Sequence, residues 1–538
     1  MPSLPIQGER SHAKASGLEK DLRQKLEAWD GRILQLENEL RTAHLERTRL
    51  QRALDTLPNC DGVWSKIPNE LLAEIFQRSV DADTRGHSLS SQAMPWVLAQ
   101  VCGRWREIVV STPMLWVTIR VHTRHLCRQP YQMVQTWLER SLPLPISCLV
   151  IFVNGDLYRT EETILFNLLL KSCGRWRHLH IHFRDRSDLY PKLFTNEQPT
   201  LQLESIWISS RIPYMLHYRG QPHAFGRNSP KLLDASINIS LPLESLDQRL
   251  SLPSAWEELQ TLEWILHTSL HDFLHAVSVL PHLRTLSLTL RDSTTWDGSR
   301  ANSTFTLSAL RRLELSGQVD SIERVMGLLH VPNLTDLSIL NSPVERPSAL
   351  QSLAGMLDRS SCCLIRFNTS FKTFAAFGST GLYAAFSTIE EFHIRLNSRV
   401  SARQIVNIFE ATGVLPRLRA LHLVVFTVAE VLPEQLLQDL VNVVKARARR
   451  GGMDSEESRL TLLSIDTATY AGVPKPKPRV NTPAFQQLLR LREEGLEVLG
   501  NVVEGRWNST YQASTHWSFE EDERRWSRFG YSDWLCSS

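Results

Sequence analysis

Three histidines alternate with apolar residues near the start of the long C-terminal part, a spacing that could offer nitrogen ligands to a metal ion. His178, His180 and His182 lie on one face of a predicted β-strand, because successive strand side chains point to opposite sides. Zinc takes its ligands in a tetrahedral array, and three ligands in a row on one strand do not form one. We therefore favour a solvent-facing surface that contacts a partner, with no metal, and keep the metal site as the alternative.

Motifs for catalysis are missing from the sequence. It contains no G-x-x-x-x-G-K-[ST], H-E-x-x-H, G-x-S-x-G or G-x-G-x-x-G pattern. We therefore expect no catalytic residue, no cofactor and no enzymatic activity of the chain's own. A hydrolase would instead need a compact polar pocket with perturbed carboxylates. The eight cysteines show no C-x-x-C spacing, which argues against a zinc module and favours a reducing compartment.

The composition is that of a globular protein. Of 538 residues, 42% are hydrophobic and 22% charged, and 60 basic against 57 acidic residues leave a net charge of +3. This balance excludes disordered and collagen-like classes and predicts neither a nucleic-acid nor a membrane partner. The first twenty residues lack the apolar core of a secretory signal, so we expect a cytoplasmic or nuclear protein. Leucine is the one excess, with 81 residues, and indicates repeated packing units.

The apolar pattern of segment 18–57 predicts a coiled coil. From Leu22 to Leu57 the seam positions follow alternating steps of four and three residues, and only Arg47 breaks the apolar seam. A period of 3.5 residues held over about five heptads is typical of two helices that wind around each other. We expect a parallel homodimer; a single amphipathic helix that lies on the chain's own domain is the alternative.

The segment 63–120 predicts a small helical unit. Pro68 stands at the expected start of a helix, and Leu71, Leu72, Ile75 and Phe76 share one face of it. After a polar loop at 81–92, a second apolar block with helical period runs to Val109, and a Pro-x-Leu-Trp segment follows. Because fewer than about sixty residues bury only a marginal core, the unit should dock on a partner or on the next domain.

The strings IPNELLAEIF, VCGRWREIV and STPMLW in this segment resemble an F-box in the form common among fungal F-box proteins. The resemblance implies docking on a Skp-type adaptor and, through it, on a cullin. By motif position the first docking helix would contain Ile67, Pro68, Leu71, Leu72, Ile75 and Phe76. The hydrophobic face or small core would be completed by Val101, Cys102, Trp105, Arg106 and Trp116. The loop at 81–92 lengthens the usual spacing, and an internal three-helix core without a partner is the alternative.

The segment 130–500 carries eleven copies of an L-x-x-L-x-L pattern. Its middle residues stand at 179, 206, 235, 262, 286, 313, 337, 367, 392, 421 and 463, with steps of 24 to 30 residues before a last step of 42. Helical patterns recur between them, at 163–171, 272–280, 322–330, 350–359, 403–410 and 434–447. This period predicts an α/β solenoid similar to leucine-rich repeats, and a generic α/β domain is the alternative.

Residues that flank the inward positions of each predicted strand should form the recognition surface. The target-binding candidates are His178, His180, His182 and His393, and further outward residues are Ser287, Glu314, Ser338 and His422. The tract 445–450 is either a nuclear import signal or a solvated helix end. The aromatic segment 501–538 would form a cap or tail.

Together these patterns predict an α/β protein with a coiled-coil helix, an F-box and a repeat region. The resemblance implies the substrate-receptor subunit of an SCF-type ubiquitin ligase, in which the F-box holds the ligase and the repeats hold an unknown target. A non-ligase scaffold that joins proteins through the coiled coil and the repeats is the alternative.

Overall fold

The computed structural model describes residues 8–56, 63–83, 87–123, 130–152, 159–183, 189, 192–193, 198–210, 229–238, 256–266, 269–290, 304–340, 346–370, 386–397, 415–426, 434–450, 460–470, 482–493, 496–499 and 512–513. The chain divides into two compact units. The N-terminal unit combines residues 1–79 and 94–112, and the C-terminal unit combines residues 80–93 and 113–538. The predicted helix at 403–410, position 57 and almost all of the segment 501–538 lie outside the described residues.

The first part of the chain is helical. Its helices are α1 (Gly8–Thr56), α2 (Val63–Lys66), α3 (Asn69–Ala82), α4 (Met94–Val101) and α5 (Gly103–Ser111). The heptad segment lies in α1, where every side chain from residue 23 to residue 50 is exposed. The exposed residues include the seam positions Leu26, Trp29 and Leu40.

Two helix boundaries in this part differ from the sequence prediction. Pro68 precedes α3 instead of opening it, and its carbonyl accepts the N–H of Leu72 at 3.1 Å. The apolar block that ends at Val109 is two helices rather than one. Cys102 interrupts it in an extended conformation, with its Sγ accepting the N–H of Trp105 at 3.5 Å as a cap for α5. Helical periodicity continued across the break because both helices bury apolar side chains.

The C-terminal unit is α/β and is built on a long parallel sheet. Among the described residues, fourteen strands pair in the order β1-β2-β3-β4-β5-β6-β7-β9-β11-β12-β13-β14-β15-β16, β17 pairs with β15, and β8 and β10 form a separate pair. The strands are β1 (Thr118–His122), β2 (Ile146–Phe152), β3 (Trp176–Phe183), β4 (Ser205–Ser210), β5 (Asp234–Asn238), β6 (Thr261–Leu266), β7 (Thr285–Leu290), β8 (Phe305–Thr306), β9 (Arg312–Gly317), β10 (Leu329–His330), β11 (Asp336–Leu340), β12 (Arg366–Ser370), β13 (Glu391–Asn397), β14 (Ala420–Phe426), β15 (Leu462–Tyr470), β16 (Glu497–Leu499) and β17 (Gln512–Ala513).

Helices connect several of these strands. They are α6 (Pro130–Arg140), α7 (Arg159–Leu170), α8 (Leu270–Ser278), α9 (Val319–Leu328), α10 (Pro347–Ser360), α11 (Glu434–Arg450) and α12 (Pro483–Glu493). Five of the six predicted helical segments overlap α7 to α11. The described helices include none that combines the length and apolar character needed to span a membrane.

The eleven predicted middle residues stand side by side in this sheet. Each pairs in register with the next, from Leu179 beside Ile206 to Leu421 beside Leu463. None of the eleven is more than 2% exposed. The prediction of parallel strands at these positions is therefore confirmed. The sequence pattern missed β1 and β2, which extend the same row through Ile119 and Cys148.

A recurrent turn precedes the strands. The N–H of the first leucine of the pattern donates to the carbonyl three residues earlier, as in Leu203 to Thr200 at 3.0 Å and Leu259 to Trp256 at 3.0 Å. The same bond recurs at Leu232, Leu310, Leu334, Ile389 and Leu418. These first residues are buried, so each repeat adds a third apolar anchor beneath the sheet.

Candidate functional site

Helix α3 carries apolar side chains on two sides. Leu72 and Phe76 are buried, with 0% and 1% of their surface exposed, whereas Leu71 and Ile75 are 52% and 40% exposed. Each pair is spaced four residues apart and therefore lies along one helix face. The sequence grouped all four residues as one docking face. The structure divides them into a core pair and an exposed pair.

Phe76 of the core pair packs against an aromatic cluster within the N-terminal unit. The ring of Trp105 lies 4.6 Å from that of Phe76 and 5.7 Å from that of Trp64, the latter contact edge to face. Such aromatic pairs contribute about 0.5–1.5 kcal/mol beyond the burial of their area. Trp105 is half-buried and Trp64 is exposed, so the cluster fixes α3 against α5 and still reaches the surface.

Arg104 ties the start of α3 to α5. Its Nε and Nη2 donate to Oδ1 of Asn69 at 3.0 and 2.8 Å, its Nη1 donates to the carbonyl of Trp64 at 2.9 Å, and its Nη2 also donates to the carbonyl of Ile67 at 2.6 Å. Arginine suits this place because its planar fork presents several donors in fixed directions. No pattern in the sequence indicated the roles of Arg104 and Asn69.

The other predicted docking residues lie in different environments. Ile67 and Cys102 are half-buried, and Pro68, Val101 and Arg106 are exposed. Trp116 is fully buried in the C-terminal unit, where its ring lies 5.0 Å from that of Trp137 and 4.5 Å from the guanidinium carbon of Arg140. Its side chain is therefore a core element of that unit and offers no surface to a partner.

The outward side of the sheet near its start is largely covered. His178, His180 and His182 do alternate with buried Leu179, Ile181 and Phe183. However, His180 and His182 are only 8% and 9% exposed, because Trp207 of the next strand packs beside them, with ring centroids 6.3 and 6.4 Å away. A ring nitrogen of His182 also lies 2.6 Å from Oγ of Ser209. The prediction of a solvent-facing histidine row is wrong for these two residues.

His178 keeps more exposure than its two neighbours but is still half-buried. Burial lowers its pKa below the ordinary value, and the charge of Arg177 lowers the pKa further. The charges of Glu204 and Asp234 oppose this shift. The neutral imidazole is therefore the favoured form at this end of the sheet.

Alternating charges cross four adjacent strands farther along the sheet. A nitrogen of Arg312 lies 3.6 Å from Oδ1 of Asp336, and Arg366 bonds Oδ1 of Asp336 at 3.1 Å and Oε2 of Glu391 at 2.7 Å. The hydrogen bonds to Glu391 and then to Asp336 raise the pKa of Arg366. These four side chains form a charge ladder, in which basic and acidic groups alternate across β9, β11, β12 and β13.

The ladder ends at two histidines. Nε2 of His393 lies 2.7 Å from Oε1 of Glu391, and Nε2 of His422 lies 3.6 Å from the same oxygen. Partial burial would raise the pKa of Glu391, but hydrogen bonds from His393 and Arg366 bring it below its usual value. The two imidazole rings are parallel, at an interplanar angle of 4° and a centroid distance of 4.1 Å.

The strand pattern predicted His393 and His422 as separate outward residues and did not indicate Glu391. The register of the sheet brings the two histidines together, since His393 pairs directly with His422. The spacing Glu391-x-His393 places the carboxylate on the same side of β13. This i, i+2 pair was the available signal in the sequence.

No protein-family model and no curated protein matches the chain.

Proposed function

We propose that the chain is the substrate-receptor subunit of an SCF-type ubiquitin ligase, which docks a Skp-type adaptor through α3 and binds a target protein through the C-terminal unit. The observation that carries this proposal is the exposed pair Leu71 and Ile75 beside the buried pair Leu72 and Phe76. This pair lies within the segment that resembles an F-box.

The exposed apolar surface around α3 suits a protein partner. Apart from α1, the exposed large apolar side chains described in the N-terminal unit are Trp64, Leu71, Ile75, Val101 and Val110. Isolated exposed apolar residues are common, but a pair aligned on one helix face gives a partner a continuous strip to cover. Arg104 and Trp105 hold this helix in place before binding, which reduces the ordering cost of association.

The C-terminal unit supplies the target-binding part of the proposal. The shared register, the recurrent turn and the 24- to 30-residue steps support an assignment to leucine-rich-repeat-like solenoids. The candidate contact residues that keep an accessible side chain are His178 and His393. No residue of the chain needs to act as an acid, base or nucleophile. Binding would raise the local concentration of the target near the charged ubiquitin carrier.

The proposal also includes a parallel homodimer through α1. Its support is the alternation of three- and four-residue steps along a helix of 49 residues, in which the side chains from residue 23 to residue 50 are exposed. A second copy of α1 would cover Leu26, Trp29, Ile33, Leu36 and Leu40. Light scattering on the full chain should then give twice the chain mass of 61.5 kDa, and Leu36→Asp with Leu40→Asp should return it to the monomer.

Co-purification tests the ligase proposal against the scaffold alternative. The full chain, expressed in a host with a Skp-type adaptor and a cullin, should recover both partners from the cytoplasmic or nuclear fraction. Recovery of the adaptor without the cullin would favour the scaffold. Recovery of neither would overturn the proposal.

A further inference from the structure

We propose that Glu391, His393 and His422 form a binding site for one divalent transition-metal ion of the zinc class on the outward side of β13 and β14. This inference is independent of the docking proposal. One ligand atom from each residue lies within 4.8 Å of the other two, and no other such group of three occurs among the described residues.

The donor set matches the chemistry of zinc. Two imidazole nitrogens and one carboxylate oxygen form a ligand set found in zinc sites that keep a fourth position for water. Oxygen-seeking ions such as Mg²⁺ and Ca²⁺ prefer carboxylates and carbonyls, so two imidazoles disfavour them. The proposed ligand is therefore an ion that accepts nitrogen donors.

The distances between the donor atoms are close to those expected around one shared metal ion. With metal–ligand bonds of about 2.0–2.1 Å and tetrahedral angles, two ligand atoms should lie roughly 3.3 Å apart. The two Nε2 atoms lie 2.7 and 3.6 Å from Oε1 of Glu391, on either side of this value. Small side-chain rotations are therefore enough to bring both Nε2 atoms to this distance from Oε1.

One adjustment is required of the histidine pair. Imidazole donates in the plane of its ring, and the rings of His393 and His422 are stacked at an interplanar angle of 4°. A shared ion between them requires the rings to tilt toward each other. Both side chains are about a third to a quarter exposed, at 35% and 24%, so the tilt does not require repacking of the core.

The surroundings provide the outer contacts that metal ligands use. Arg366 bonds Oε2 of Glu391 and so orients the carboxylate with Oε1 toward the histidines. Asn368 occupies the position beside His393 on β12, and its buried Oδ1 has no donor among the residues that the structure describes. A histidine that ligates through Nε2 carries its proton on Nδ1 and needs such an acceptor. The register places Asn368 where its Oδ1 would accept this proton once the ring of His393 turns to bind the ion.

Zinc uptake by the metal-free full chain tests the proposal. Equilibrium dialysis against Zn²⁺, with elemental analysis, should show one equivalent that is absent from the His393→Ala, His422→Ala double variant. Glu391→Gln, which keeps the shape of the side chain, should weaken the Kd for that equivalent at least about tenfold, since loss of even an outer partner costs about 10- to 100-fold. His282→Ala removes an exposed histidine elsewhere on the same unit and should bind as the wild type does.

Thermal melts of the metal-free proteins show whether each variant is folded. If the double variant does not fold, Glu391→Gln decides the question. Equal zinc stoichiometry and Kd in the wild type and in the folded variants would overturn the proposal. Absence of zinc uptake by the wild type would do the same and would leave a hydrogen-bonded surface triad.

Discussion

Oδ1 of Asn69 accepts two hydrogen bonds from Arg104, from Nε at 3.0 Å and from Nη2 at 2.8 Å. The two residues are 35 positions apart and join the first turn of α3 to the first turn of α5. The same guanidinium also binds the carbonyls of Trp64 and Ile67. Arg104 thus helps to fix the orientation of the α3 surface, together with the contact of Phe76 with Trp105.

Arg104→Ala should loosen the start of α3. A hydrogen bond to a charged group contributes about 1.5–3 kcal/mol, and partial exposure of Arg104 places the expected loss at the low end of this range. Hydrogen exchange of the amides in 66–76 should become faster, and Arg104→Lys should not restore protection because the ammonium lacks the planar fork. Arg106→Ala, at an exposed position, is the matched control. Unchanged protection in Arg104→Ala would contradict the role of this residue.

Substitution by alanine should lower the stability of the protein at Gly317 and raise it at Gly327. Gly317 ends β9 with φ +128°, and an added Cβ would lie 2.1 Å from the carbonyl oxygen of Leu290. Gly317→Ala should therefore reduce the free energy of unfolding by at least about 1 kcal/mol. Gly327 lies in α9 with no atom within 4 Å of its added Cβ, so alanine should gain up to about 1 kcal/mol of helix stability. Calorimetric Tm values check both, and an equal shift in the same direction would refute the prediction.

The stability of the C-terminal unit should fall with acid partly through His178. Burial and Arg177 lower the pKa of His178 in the folded state, so the unfolded chain binds more protons once the pH falls below about 6.5. Stability from this residue is therefore present at neutral pH and is lost as the pH falls toward the folded-state pKa.

His178→Gln should make the dependence of Tm on pH less steep between about pH 7 and pH 5. His282→Gln controls for the loss of an exposed imidazole. If Tm depends equally steeply on pH in His178→Gln and in the wild type, His178 does not contribute to the loss of stability in acid.

Cys148 should resist alkylation while the protein is folded. Burial raises the pKa of its thiol to about 12, and the charge of Arg175 offsets this shift only in part. At pH 8 roughly one thiol in ten thousand would be ionised, and thiolate is the reactive form. Peptide mapping after iodoacetamide treatment should find exposed Cys363 modified in the folded protein and Cys148 modified only after denaturation. Comparable alkylation rates at Cys148 and Cys363 in the folded protein would contradict this prediction.

Much of the C-terminal sheet could be predicted from the sequence, because one leucine pattern specifies strand, inward direction and register together. Leu286, Leu313 and Leu337 lie side by side as the spacing requires. The covering of His180 and His182 by Trp207 could not be read in this way, since a strand pattern gives the direction of a side chain but not the size of its neighbour.

The presence of helix α3 could be predicted from the sequence, but its exact bounds and the division of its apolar residues into a buried and an exposed pair could not. Four apolar residues at i, i+1, i+4 and i+5 span a wide arc, and tertiary contacts such as that of Phe76 with Trp105 determine which of them are buried. The pairing of His393 with His422 follows from the alignment of Phe392 with Leu421, but the approach of Glu391 to both imidazoles depends on side-chain conformations that the pattern does not specify. Side-chain contacts across neighbouring strands were therefore the part that the sequence did not determine.

The affinity of the full chain for a purified Skp-type adaptor tests the central proposal most directly. The wild type should bind, and Leu71→Asp with Ile75→Asp should weaken the Kd at least about 100-fold, as expected for loss of two central contacts worth about 1.4 kcal/mol or more each. The thermal melt should stay unchanged because both residues are exposed.

Val279→Asp, an exposed apolar position that is 66% accessible on the C-terminal unit, should bind as the wild type does. Leu72→Ala should instead lower the stability by about 2–5 kcal/mol, because this side chain is buried. Wild-type affinity in the folded Leu71→Asp, Ile75→Asp variant would contradict the account.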